Sequence, residues 1–197
     1  ELVVSLVKKL IAQGEDAKKI LDEGLMPGMD EIAVRFSGGD MFIPEVLASA
    51  EAMHAGNELL RALLVKDNVE KRGKVVLGTV AGDLHDIGKR IVGMMLEGSG
   101  YEVIDLGMDV PSSRFLEAAK KEKPDIIGMS ALLTTTMPAM QEVVEILKEE
   151  GLDKEIEVMI GGAPVSDEYA KRIGAHYSYD AGSAVELANR LVGYVRR

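Results

Sequence analysis

A helical bundle joined to a parallel α/β sheet is the architecture predicted by this sequence, and three observations predict it. The first seventy residues place their apolar side chains at helical spacing only. From Lys74 onward, short runs rich in β-branched residues alternate with helical stretches, giving five strand–helix units. The change of period falls in a highly charged segment, Lys66 to Lys74, closed by Gly73. Two units are therefore expected, residues 1–70 and residues 74–197.

The first unit reads as four short amphipathic helices. Leu2, Leu6, Leu10 and Ile11 form a stripe that ends near Gly14, and a second helix spans about Glu15 to Leu25. Pro27 sits near the start of a third, which Ser37-Gly38-Gly39-Asp40 stops. The longest helix follows Pro44, with Val46, Ala50, Met53, Asn57 and Leu60 along one side. Brief connections between helices of this length predict a small antiparallel bundle.

In the second unit, strands are expected at Val75–Val80, Val103–Leu106, Asp125–Met129, Glu155–Ile160 and His176–Tyr179. The helices between them begin near Ile87, after Pro111, near Met137 and near Asp167, and the last runs from Ser183 to Val195. Five such units make a doubly wound, flavodoxin-like parallel sheet with helices on both faces. Parallel strands place every strand-to-helix loop on one edge.

Composition narrows the chemistry. Zero cysteines exclude disulfides, thiolate metal sites and iron–sulfur clusters, so a bound metal must rely on histidine, carboxylate or a prosthetic group. The three histidines are His54, His85 and His176. A net charge of -10 opposes nucleic acid as a main partner. No apolar run reaches the length of a membrane span, and the first residues lack the basic head of a leader, so a cytoplasmic protein is expected.

The loops on the shared edge carry the candidate chemistry. Asp83, His85 and Gly88 follow the first strand; Ser130, Leu132, Thr134 and Thr135 follow the third; Gly161 and Gly162 follow the fourth. A histidine two residues after an aspartate suits a metal ligand whose second ring nitrogen is held by a carboxylate. Adjacent glycines at a strand end let a ligand approach bare backbone. Singly, each residue has an ordinary reading: Ser130 as a helix cap, Gly161-Gly162 as a turn, Asp86 and Lys89 as solvated charges at a helix start. Gly82 to Lys89 is not a phosphate-binding loop, because its glycine spacing is one residue too long and Arg90 replaces the required Ser or Thr. A receiver domain would want an aspartate where Ser130 stands.

Taken together, Asp83-x-His85-x-x-Gly88, Ser130-x-Leu132 and Gly161-Gly162 resemble the cobalamin-binding domains of methionine synthase and of corrinoid proteins in anaerobic methyltransferase systems. The intervals also suit that family: 41 residues separate Gly88 from Ser130, and 28 separate Leu132 from Gly161. Gly24-Leu25-Met26-Pro27-Gly28-Met29 and Glu51-Ala52-Met53 resemble its helical cap, so the resemblance covers nearly the whole chain.

The resemblance implies a cobalamin cofactor whose own lower base is displaced from cobalt by His85, with Asp83 fixing the imidazole and Ser130 extending the hydrogen-bonded chain. It implies a slot for the displaced nucleotide tail beside Gly88, Gly161 and Gly162, and contacts from Thr134 and Thr135 to the corrin edge or the tail. Met53 suits the cofactor's upper face as well as the bundle core. The implied function is a methyl carrier that is not catalytic alone. It takes a methyl group from a substrate-specific methyltransferase for a methylamine, betaine, methanol or aryl methyl ether. It passes the group to a second methyltransferase using tetrahydrofolate or a thiol such as coenzyme M, with a reductive activase and a cap that swings aside. A cobalamin-responsive sensor and a mutase cobalamin-binding subunit are the alternatives with the same motif.

Overall fold

The computed structural model describes residues 1–66 and 71–193, so the middle of the expected link and the end of the expected last helix lie outside the described residues. Helix α1 (Leu2–Ala12) ends before Gly14, and α2 (Ala17–Ile20) begins at Asp16, whose carboxylate accepts the Lys19 amide. The second and third expected helices are not separate. A π-helical turn, Leu21–Leu25, joins α2 directly to α3 (Met26–Ser37). Pro27 lies in the first turn of α3, directly after the π-helical turn, so proline marks a start here without breaking the run. Helix α4 (Ile43–Lys66) completes the helical part.

The strands β1 (Lys74–Thr79), β2 (Glu102–Asp105), β3 (Ile126–Ser130), β4 (Glu157–Gly161) and β5 (His176–Tyr177) are all parallel, in the order β2-β1-β3-β4-β5. The central runs Val75–Thr79 and Ile126–Met129 are buried, as expected of strands covered on both faces. Between them run α5 (Ile87–Gly98), α6 (Ser112–Glu122), α7 (Met137–Glu149) and α8 (Asp167–Ile173), and α9 (Ala181–Leu191) follows β5. The order reverses between β1 and β3, so the loops carrying His85 and Ser130 flank the switch point at which such sheets open a crevice.

Two cores sandwich the sheet. On one side Phe115, Met140, Val143, Leu147 and Ile173 of α6 to α8 pack against Val76, Ile127 and Ile160. On the other, Met95 and Leu96 of α5 and Val185 and Leu187 of α9 share a cluster with Met26, Met29, Val46, Ala50 and Met53 of the helical part. The helical part is thus continuous with the sheet's core. Polar contacts reinforce the junction: Arg72 pairs with Asp30 at 3.3 Å, with both side chains buried, and Ser37 donates to Asp180 at 3.1 Å.

Helix α3 crosses α9 so closely that a Cβ at Gly182 would overlap the Ala33 carbonyl and the Ser37 hydroxyl. Adding that one methyl group forces two helices apart. Gly182→Ala is therefore expected to cost about 1–3 kcal/mol by overpacking and to lower the melting temperature measured by circular dichroism, with the sheet retained.

Candidate functional site

The site is built on the turn after β1. Asp83 is fully buried and its carboxylate accepts five hydrogen bonds. Oδ1 faces the His85 ring Nδ1 at 2.7 Å and accepts the His85 amide at 3.1 Å. Oδ2 accepts the amides of Leu132 and Leu133 at 2.7 and 3.2 Å and the Thr136 hydroxyl at 2.8 Å. Burial alone would raise the Asp83 pKa. The Leu132 amide, the His85 ring and amide, and the Thr136 hydroxyl outweigh it and hold the carboxyl well below the usual carboxylate range.

A carboxylate only accepts, so the proton of a neutral His85 is assigned to Nδ1 and the lone pair to Nε2. The His85 side chain is 52% exposed, and no described protein group bonds Nε2. The imidazole therefore presents a fixed, free ligand atom at the switch point. Among the described residues no group of three or more histidine or carboxylate side chains stands where it would hold a metal. A metal at His85 must bring most of its own ligands, as a macrocycle does.

Beside this turn a cavity of about 430 Å³ runs between α5 and α9 over the ends of β1, β3 and β4. Gly88, Ser130, Met159, Gly161, Gly162 and Tyr177 are among its walls, and a Cβ at Gly88 would meet open space. Phe36 and Ile43 reach it from the helical part. Leu84, Ile87, Leu132 and Leu133 are exposed around the histidine, which gives an apolar setting for a flat ring. The donor, the apolar surround and the adjoining slot fit a corrinoid held by one axial imidazole.

Several sequence expectations change. The Ser130 hydroxyl lies 3.0 Å from Thr79 Oγ1, which donates to the His85 carbonyl, so Ser130 braces the turn and does not join the Asp83–His85 chain. Thr136 holds that place. Gly162 takes φ +132°, and a side chain there would strike the Ala131 carbonyl. Likewise a Cβ at Gly161 would come within 2.9 Å of the Ser178 carbonyl. These glycines line the slot, but backbone packing already requires them. Met53 is only 4% exposed and lies in the shared core, because its face of α4 is turned to α3 and α5. Lys89 is buried and ion-paired with Asp105, since the first turn of α5 passes directly over the end of β2. Thr134 and Thr135 are exposed on the loop after β3, outside the slot walls.

Other contributors were missed. Leu133, like the expected Leu132, acts through its amide, which any residue but proline supplies. Phe42 stands 71% exposed between α3 and α4, two neighbours of the slot. The β2–α6 loop, with no metal-ligating histidine, packs on the histidine turn, where Asp109 Oδ1 accepts the Gly82 amide.

Comparison with known proteins points to the same class of cofactor. One model, described as "B12 binding domain", matches residues 73–188, and a second of the same description matches residues 1–61. Dimethylamine corrinoid protein 1 of Methanosarcina acetivorans is 47% identical over 195 residues, covering 98% of this chain and 91% of the relative. A solved cobalamin-binding protein from Desulfitobacterium hafniense superposes with a TM-score of 0.82 at 36% identity, covering 95% of this chain and 89% of that one. A chain of the methanol:cobalamin methyltransferase complex of Methanosarcina barkeri gives 0.82 at 35%, covering 98% and 74%.

Because the folded-state Asp83 pKa lies below its unfolded value, its ionisation stabilises the protein above the ordinary carboxylate range and ceases to do so as pH falls through that range and below. In the corrinoid-free protein, Asp83→Asn turns one acceptor into a donor against N–H groups. Urea unfolding at neutral pH should show a loss on the order of 2 kcal/mol, and the difference from the native chain should shrink in acid.

Proposed function

The chain belongs to the family of B12-binding domains, and we propose that within it this protein is the methyl carrier of a methylamine methyltransferase system. The observation that carries the reading is the Asp83–His85 pair, with Nε2 free at the mouth of an apolar slot. His85 would hold the cobalt through Nε2 in place of the cofactor's own base, and the slot would take the nucleotide tail. When bound, the corrinoid supplies a cobalt able to accept a methyl group from one enzyme and release it to another.

The chain's own residues set the terms of that exchange. Asp83 keeps the Nδ1 proton in place, which fixes the tautomer and makes Nε2 a better donor. Nδ1 already carries the proton shared with Asp83, so Nε2 is the ring position open to a metal or to a second proton. Asp83 remains the carboxylate, because five donors already hold it in that form. Thr136 and the Leu132 and Leu133 amides thus stabilise both states of the ring.

In this reading the methyl donor and acceptor are held by other proteins. A substrate-specific methyltransferase delivers the methyl group. A second methyltransferase, using tetrahydrofolate or a thiol such as coenzyme M, removes it, and a reductive activase restores oxidised cobalt. The turn between α3 and α4, whose Phe36 and Ile43 reach the slot, is the part of the helical region that must yield to them. Dimethylamine is the favoured donor, on the relative at 47% identity against 35% for the methanol complex.

Purified protein reconstituted with cobalamin, reduced, and mixed with dimethylamine and a dimethylamine-specific methyltransferase is expected to lose its cobalt(I) absorption. The methanol-specific enzyme with methanol should act at least about tenfold more slowly, a difference of roughly 1.4 kcal/mol in the barrier. Methylation by neither enzyme contradicts the carrier role in these systems.

A further inference from the structure

The loop between β2 and α6 is bound along its length to the end of β1 and, at Asp109, to the histidine turn. Gly107 accepts the Thr79 amide at 3.0 Å and Val110 donates to the Thr79 carbonyl at 2.9 Å. Between them stands Asp109. Its Oδ1 accepts the Gly82 amide at 2.6 Å, while its own amide donates to the Asp83 carbonyl at 3.0 Å. Asp109 therefore bonds the backbone on both sides of the Asp83 side chain.

Its conformation sharpens the point. Only Asp109 and Lys123 are non-glycine residues at positive φ among the described residues, and Lys123 simply caps the end of α6. Asp109, at φ +52°, caps no helix. A left-handed non-glycine residue persists where surrounding bonds over-determine it, and here those bonds converge on the turn that aims His85. Two clamps from different crossovers thus meet at Asp83: the β3–α7 loop holds its carboxylate, and Asp109 holds its backbone.

We propose that Asp109 is a positioning residue for the axial ligand, fixing through Asp83 the tautomer and aim of His85; this rests on the reading of His85 given above. The Asp109 carboxylate faces water, so its effect is geometric. A shift of a few tenths of an ångström at Asp83 lengthens its bond to Nδ1 and lets the ring proton move to Nε2, which removes the lone pair a metal needs.

The test uses the corrinoid-free full chain with nitrogen-15 histidine, at mildly alkaline pH where imidazole is neutral. Long-range proton–nitrogen correlation spectra read the tautomer of each of the three rings. Asp109→Gly keeps the left-handed turn without strain but removes the carboxylate, and Asp109→Asn keeps an acceptor at the same place. The native His85 should be locked as Nδ1–H, the glycine variant should lower the ratio of Nδ1–H to Nε2–H by about fivefold, and the asparagine variant should restore it. A lower melting temperature with an unchanged ratio in Asp109→Gly overturns the role of Asp109 and leaves the His85 reading standing. A native ring that is not locked as Nδ1–H overturns both.

Discussion

The structure turns on one buried carboxylate. Asp83 is taken fully out of water, a cost that only complete hydrogen bonding offsets, and its five donors come from two different loops. Satisfying it fixes the β1 turn against the β3 turn, and so fixes the crevice at the switch point. The same bonds that make the ion tolerable also define its chemistry. With both oxygens occupied, Asp83 has one remaining function, which is to hold the Nδ1 proton of His85 and leave Nε2 as the outward ligand atom.

The helical part is organised by a second constraint. It shares an apolar cluster with α5 and α9 and is pinned by the Arg72–Asp30 pair, in which Asn189 and Tyr101 also take part. Removing either charge takes away the opposite charge that offsets the other's burial, a cost of about 3–5 kcal/mol. Moving this whole unit aside therefore exposes core and breaks an ion pair. The turn from Phe36 to Ile43, with Phe42 in water, has far less to lose. Access for partners is most economically a movement of that turn.

Much of this was legible in the sequence because the signals are local. Strand-forming runs and the prolines near the starts of α3, α4 and α6 each act within a few residues, and the observed elements lie within about two residues of expectation apart from the fused α2–α3 run, the shorter β5 and α9, which ends at Leu191, short of the expected Val195. The Asp83–His85 pairing was legible for the same reason, being two residues apart. Contacts across the sheet were not. Lys89 reads as a solvated charge until β2 is placed beneath it with Asp105 at its end. Thr136 reaches Asp83 across 53 positions, while Ser130, which seemed the natural partner, faces Thr79 on the neighbouring strand through the β1–β3 register. Backbone donors such as Leu133 leave no mark in a sequence. Met53 was ambiguous because an unbranched apolar side chain suits a core and a flat ring equally well.

The central claim is that His85 replaces the cofactor's own base on cobalt. It is tested most directly by the electron paramagnetic resonance spectrum of the cobalt(II) form, prepared with and without nitrogen-15 histidine. The axial nitrogen splitting should change on labelling, and His85→Ala should abolish that change. A splitting indifferent to the label in the native protein would show the cofactor's own base still on the metal and would contradict the account.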